Sequence, residues 1–264
     1  MRLRHALGGV AALALSSLLA AAPALSADLA AHRALYALAL QSARGDVTAA
    51  SGTMAYEVID ACEGWAVRQR LRMVLTNRDG QDVEMLSDYT TYESKDGLKL
   101  RFRMHQTTDQ SVTTDLAGDA ALERPGGPGV ATYTLPEAHT RDLPKNTLFP
   151  MAHTAAILEA AKAGKKFVAL PLFDGTGPDG AQDSSVTVTS WSGPKTEKYP
   201  VLSSLGSGRV HVAFYDQNAT SQEPDYEEGM RYWENGVADD LSMDFGDFVM
   251  TGKLQELTLP PKSC

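Results

Sequence analysis

Asp239, Asp240, Asp244 and Asp247 form a close group of hard oxygen donors near the C-terminus, the ligand type Ca²⁺ prefers. Asp244 and Asp247 are the weak metal candidates among them. They lack the alternate-residue spacing of a ligand loop. Aspartates that bond nearby backbone N–H groups in turns account for the cluster equally well, so no metal is assigned. Gly175-Thr176-Gly177-Pro178-Asp179-Gly180 matches G-x-G-x-x-G after a strand pattern. A dinucleotide site needs a helix next, with its N-terminus facing the pyrophosphate. Pro178 and the polar run 182–185 lead into another strand instead, so the glycines read as a turn. Asp244-Phe245-Gly246 has the spelling of a kinase metal triplet without the glycine loop, strand lysine or catalytic loop that give it meaning. His32, His105, His139, His153 and His211 are scattered without ligand spacing. His153, near a helix start, reads as a packed, hydrogen-bonded residue. No G-x-S-x-G elbow marks a serine nucleophile, although triads are defined by geometry. No catalytic residue and no cofactor is assigned, and the ligand-binding positions stay unknown.

Two cysteines remain, Cys62 and the last residue, Cys264. Without C-x-x-C and with only two thiols, a redox or zinc role is disfavoured. In an oxidising compartment they permit one intramolecular bond tying the tail to an early strand; an intermolecular bond is the alternative.

That compartment is indicated by the N-terminus. Arg2 and Arg4 precede a small, apolar run from Ala6 to Ala22, and Pro23–Ala27 supplies a small-residue exit. This is the pattern of a signal peptide cleaved after Ala24, Ser26 or Ala27. The run is short for a membrane span and has no basic stop-transfer flank; the competing reading is an uncleaved anchor. No cysteine stands at the exit for lipidation, and Leu3 separates the arginines of any twin-arginine signal. Removing residues 1–27 leaves residues 28–264, with no integral membrane segment and with a net charge more negative than the full chain's −9. That balance argues against nucleic acid and against docking on anionic lipid. The Asn218-Ala219-Thr220 sequon matters only where a glycosylation system exists.

The elements that must position these residues are mostly strands. Ala34, Tyr36, Leu38 and Leu40 alternate along a first strand, and 52–61 forms a second. Val67, Gln69, Leu71, Met73 and Leu75 share one face of a third, with Arg68, Arg70 and Arg72 on the other. Asp79-Gly80 and Asp96-Gly97 are hairpin turns flanking a strand over 83–94, and 98–105 follows. Gly118–Gly129 reads as a break, more a surface loop than a domain linker. Strand character resumes at 130–134, 167–173, 186–191, 210–215, 230–233 and 248–259. One helix interrupts the series: Pro150 suits a first turn, 151–162 is rich in Ala, Leu and Ile, and Gly164 ends it. Met151, Ala155, Leu158 and Ala161 form the stripe expected to pack on the sheet.

A resemblance spans nearly all of residues 28–264. Tyr232-Trp233-Glu234-Asn235-Gly236-Val237, Met243-Asp244-Phe245-Gly246-Asp247-Phe248 and Gly252-Lys253-Leu254 resemble the end of the EipB family, exported cell-envelope-integrity proteins of Gram-negative bacteria. His32-Arg33-Ala34-Leu35-Tyr36, Phe149-Pro150-Met151-Ala152-His153-Thr154 and the two cysteines are similar in order and spacing. The resemblance implies a mainly β protein: one long, curved antiparallel sheet wound as an open β-spiral, a single domain over 28–264, with one packed α-helix around residues 150–163. It carries the family's cysteine pairing onto Cys62 and Cys264. It also implies a periplasmic role in envelope integrity with no catalytic activity assigned; the expectation drawn from it is a non-enzymatic factor that binds an envelope protein or lipid component on the curved sheet. Two alternatives stand beside this: a carrier of lipid or lipoprotein acyl chains, by fold-level analogy, and an envelope hydrolase.

Overall fold

The protein is described here by a computed structural model covering residues 28–217, 223–262 and 264. Residues 1–27, where an export segment is expected, and the Asn218-Ala219-Thr220 sequon lie outside the described residues. Strand β1 (His32–Ala43) is the seam of the sheet. It pairs with β2 (Val47–Asp60) on one side and with the last strand, β14 (Phe248–Thr258), on the other. From β2 an antiparallel meander continues through β3 (Gly64–Asn77), β4 (Asp82–Ser94), β5 (Lys99–Thr108), β6 (Ser111–Leu122), β7 (Gly129–Leu135) and β8 (His139–Leu143). Helix α1 (Pro150–Lys162) then crosses to a second meander: β9 (Phe167–Leu172), β10 (Gln182–Val188), β11 (Ser207–Asp216), β12 (Tyr226–Trp233), β13 (Ala238–Asp244) and β14. The result is a single 14-stranded antiparallel sheet with β8 and β9 at its two ends.

A sheet of that many twisted strands must curl. Here the curl brings its two ends together. Leu148, on the connection between β8 and α1, donates its N–H to Pro171 O at 2.9 Å and accepts from Phe173 N at 2.9 Å. This open β-spiral with one helix is the architecture implied by the resemblance.

Helix α1 lies inside the curl. Met151 and Leu158 pack with Leu29, Val58 and Val67, while Ile157 and Ala161 pack with Leu172, Val186, Val188, Val210 and Val212. The buried surface is therefore wider than one stripe and also takes in His153. The helix stops in a Schellman arrangement, Gly164 N bonding Ala161 O at 3.0 Å and Lys165 N bonding Ala160 O at 2.9 Å, with Gly164 at φ +74°. Its start has no local side-chain cap. Glu93 of β4 supplies one instead: Met151 N donates to Oε2 at 2.7 Å and Ala152 N to Oε1 at 2.9 Å.

The strand pattern holds for β1, β3, β4 and β7, and four differences stand out. Strand β2 begins at Val47. The break expected over Gly118–Gly129 is half strand: β6 runs to Leu122 and β7 begins at Gly129, leaving 123–128 as loop. Gly118 belongs to β6 because its α-carbon lies so close to the Thr132 carbonyl and the Phe102 ring that a Cβ would collide with both. Its turn from β5 is made by Asp109 and Gln110, both at positive φ, rather than by a glycine pair. Strands β8 and β13 were hidden by polar residues.

Cys62 sits in the β2–β3 turn and is bonded to Cys264, with the Cα atoms 5.4 Å apart. The tail leaves β14, which pairs with β1, and reaches the far side of β1 to join the turn that follows β2. The clasp thus spans the seam. A cross-link between residues 202 apart confines the unfolded chain strongly. Reduction, or Cys62→Ser, is expected to lower stability by up to about 5 kcal/mol in urea unfolding. An unchanged midpoint on reduction would remove the clasp from the list of stabilising contacts.

Candidate functional site

Inward positions of β2 to β5, α1 and the second meander enclose a cavity of about 480 Å³. Period-two alternation decides its lining. On β4, Met85, Ser87, Tyr89 and Thr91 point in, and on β12, Tyr226, Glu228, Met230 and Tyr232 do so. Met54, Val58, Val67, Leu71, Ile157, Phe214 and Phe245 make the wall largely apolar. Against this background stand the five phenol hydroxyls of Tyr36, Tyr56, Tyr89, Tyr226 and Tyr232 and the carboxyls of Asp174 and Glu228. No Lys or Arg lines the cavity.

Glu228 is the exceptional group. Burial pushes its carboxyl up to about 7, and the nearby Asp174 adds to the shift. Among the described residues it has no hydrogen-bond donor and no cation; its residual exposure opens into the cavity. Asp174 is also raised by burial, with its Oδ1 taking Thr176 N at 2.9 Å and Thr176 Oγ1 at 2.8 Å. Burial raises the tyrosines as well: Tyr56 to about 12, and Tyr89, Tyr226 and Tyr232 well above their ordinary value, with Glu228 adding to Tyr56, Tyr226 and Tyr232. His32 and His153 are lowered by burial, the latter to about 4, so both are neutral at pH 7. His32 Nε2 and the Thr91 hydroxyl are buried in this wall without a hydrogen-bond partner.

A larger cleft, about 850 Å³, lies between the tail and the start of α1. Its charged groups all have partners: Lys95 meets Asp60 at 2.9 Å, Lys262 lies near Asp28 at 3.4 Å, Glu93 accepts Met151 N and Ala152 N, and Asp96 accepts Ser94 Oγ and Leu98 N. The central cavity, with its unmatched acid, is the candidate site.

The residues singled out from sequence lie elsewhere. Asp244 is held by Arg44 at 2.8 Å, and its Oδ1 accepts Gly246 N at 2.9 Å. Asp247 joins through its backbone carbonyl, which Arg44 N and Gly45 N contact. Asp240 pairs with Arg209 at 2.8 Å and Lys253 at 2.5 Å, while Asp239 caps Asp240 N and Leu254 N. No group of three or more His, Cys, Asp or Glu placed to hold a metal occurs among the described residues. Gly175–Gly180 is the turn between β9 and β10, and it is followed by a strand. His105 meets Asp115 at 3.2 Å, His211 meets Glu227 at 2.7 Å, and His139 stacks on Tyr133.

His153 and Ser184 do come together, with Nε2 and Oγ 2.8 Å apart. The serine proton is already given to Leu170 O at 2.5 Å, so Oγ accepts from His153 Nε2–H. A histidine that donates to a serine cannot take its proton, and this pair is the reverse of an activated nucleophile.

Together the fold and site define a barrel-like β-spiral protein with one helix in its concavity and an acidic, hydroxyl-lined internal cavity. The chain belongs to the EipB-like family, which it matches over residues 23–261. It is 31% identical over 249 residues to the cell envelope integrity protein EipB of Brucella abortus (strain 2308), covering 91% of this chain and 88% of that one. Its fold is similar to the crystal structure of a beta-barrel-like protein of a domain of unknown function from Brucella abortus. That likeness has a TM-score of 0.80 at 30% identity, and covers 89% of this chain and 100% of the other.

The titration of Glu228 has a definite sign. A carboxyl raised from an ordinary 4.5 to about 7 stabilises the fold in its protonated form, fully below 4.5, and loses that contribution as pH rises through 7. Glu93, also raised to about 7 by burial, acts in the same direction, while His32 and His153 oppose it below 6.5. The difference between wild type and Glu228→Gln isolates one group. The variant should equal wild type near pH 4 and exceed it at pH 8 by on the order of 3 kcal/mol in urea unfolding. No gain at pH 8 would place Glu228 in contact with water, and a loss there would place it beside a cation.

Proposed function

We propose that the chain maintains the integrity of a Gram-negative cell envelope as a non-enzymatic binding protein of the periplasm, exported through a cleaved signal peptide, and that it holds an envelope component in its central cavity. The observation that carries this reading is the cavity itself: a partly open space of about 480 Å³, walled by both meanders and by α1. Ligand sites are typically apolar hollows with a few placed polar groups, which is the composition of this wall.

The family relationship supports the envelope role, since the Brucella relative is named a cell envelope integrity protein. Among the described residues no helix is long and apolar enough to cross a membrane, which is compatible with action in the periplasm. The reversed His153–Ser184 bond supports binding over hydrolysis. The cavity is favoured over the sheet's ends as the working surface. Strands β8 and β9 are short, Leu148 covers part of β9, and Arg141 of β8 approaches Asp179 at 4.0 Å.

The protein purified gently from periplasm, examined by native mass spectrometry and then extracted with organic solvent, should yield a bound small molecule. Protein that is empty, and that no amphiphile stabilises in a thermal-shift panel, would refute the reading.

A further inference from the structure

Apart from Asp174 and Glu228, the described residues of the cavity wall carry only groups that are uncharged at pH 7, and five phenol rings stand among them. An anionic ligand would enter an apolar space against two carboxyls with no cation to receive it, at a large electrostatic cost. A cation meets the opposite situation. Glu228 is the one deeply enclosed carboxyl with neither donor nor counter-ion among the described residues, and Tyr56, Tyr226 and Tyr232 lie close enough to feel its charge. Aromatic faces beside a carboxylate are the standard receptor for alkylammonium groups, through ring quadrupole and ion pair together. Tyr226 extends the aromatic wall to Phe214 and Phe245, with ring centroids 5.9 and 5.4 Å away.

Two further groups in the wall are unmatched. The Thr91 hydroxyl and His32 Nε2, in residues 6% and 2% exposed, have no hydrogen-bond partner among the described residues. With His32 Nδ1 set against Ala30 O at 2.9 Å as donor, Nε2 presents a lone pair. It is an acceptor, as Glu228 is, so the imidazole brings no positive charge that could receive an anion.

We propose that this cavity binds an amphiphile with an alkylammonium head, the head against Glu228 and the tyrosine rings and the alkyl chain along the methionine and aliphatic wall. The inference rests on the binding reading above and adds the ligand's charge to it. Because Glu228 has no protein partner, its carboxylate costs folding stability and is neutralised when the head arrives. A residue kept at such a cost is a common mark of a binding site.

Isothermal titration at pH 8 with four octyl probes, all below their micelle concentrations, tests the proposal. Octyltrimethylammonium should bind at least tenfold more tightly than octanol, and octanoate more weakly still. Glu228→Gln should lose at least tenfold in octyltrimethylammonium affinity while unfolding at a higher temperature than wild type, which separates lost binding from lost folding. Glu227→Gln, on the outer face against His211, should bind as wild type does. Octylphosphocholine distinguishes sources of the same head: equal binding assigns the ammonium to a phospholipid headgroup, and rejection assigns it to a phosphate-free amine. Octanoate or octanol binding as tightly as octyltrimethylammonium would overturn the charge assignment yet keep a binding cavity. Failure of all four probes would overturn both.

Discussion

Glu93 is the contact on which the internal arrangement depends. It is 2% exposed, stands on β4, and accepts the first two free N–H groups of α1. A carboxyl in that position is costly to ionise, and burial raises it to about 7 even though the two N–H bonds pull it down. The expenditure is offset by what it fixes. Helix N-terminal amides require acceptors, and Phe149 at the cap position offers none. By supplying both oxygens from the facing strand, Glu93 sets where α1 begins, and Gly164 sets where it ends. The helix then occupies part of the concavity at a defined depth. The space left between helix and strands is the cavity, so a strand residue determines the volume of a site to which it does not belong.

Charge is sorted sharply between the two faces of the sheet. Outside, Arg70 with Asp88, Arg72 with Glu84 and Arg101 with Asp119 form cross-strand pairs at 2.6, 2.7 and 3.0 Å. Exposed pairs of this kind contribute little each and serve mainly register and solubility. Inside, polar positions are matched one at a time: Ser184 between His153 and Leu170 O, Tyr89 on Asp174 O at 2.6 Å, Tyr36 on Ala238 O at 2.9 Å. Set against that care, the unmatched groups around the cavity are conspicuous. A polar interior group left without a partner costs on the order of 1–3 kcal/mol, and a chain can avoid the cost by placing an apolar residue there.

Much of the architecture was readable from alternation and turn chemistry. The inward faces of β1 and β3, the Asp-Gly hairpins, and the helix between Pro150 and Gly164 follow from local rules that the tertiary structure leaves intact. What escaped did so for identifiable reasons. β6 is rich in small and polar residues, its turn uses Asp109 and Gln110 in the left-handed region, and Gly118 is required by close approach to Phe102 rather than by a turn. In β13 the adjacent aspartates look like a ligand cluster or a loop. They are strand residues at an irregularity, with Asp240 at φ +51° and both carboxylates bound to neighbours. Local spacing cannot tell an aspartate answered by Arg209 from one answered by a metal ion, because the arginine comes from a distant part of the chain.

The candidate site was hidden in plain view by the same limit. Tyr226, Glu228, Met230 and Tyr232 alternate over one strand, and β4 repeats the pattern with Ser87, Tyr89, Thr91 and Glu93. Period two alone would have put a glutamate on an inward face in each. What it could not supply is the difference between them. Glu93 meets a helix terminus and is structural; Glu228 meets empty space and tyrosine rings. Both sit in similar strands and both are raised by burial to about 7, so neither residue type nor titration separates their roles. The separation comes from the third dimension, from which carboxyl the helix reaches once the sheet has curled. The Cys62–Cys264 clasp acts upstream of that choice. By spanning the β1 seam it holds the two meanders at a fixed relation, and Glu93 on one meander and Glu228 on the other face the same helix only while that relation holds.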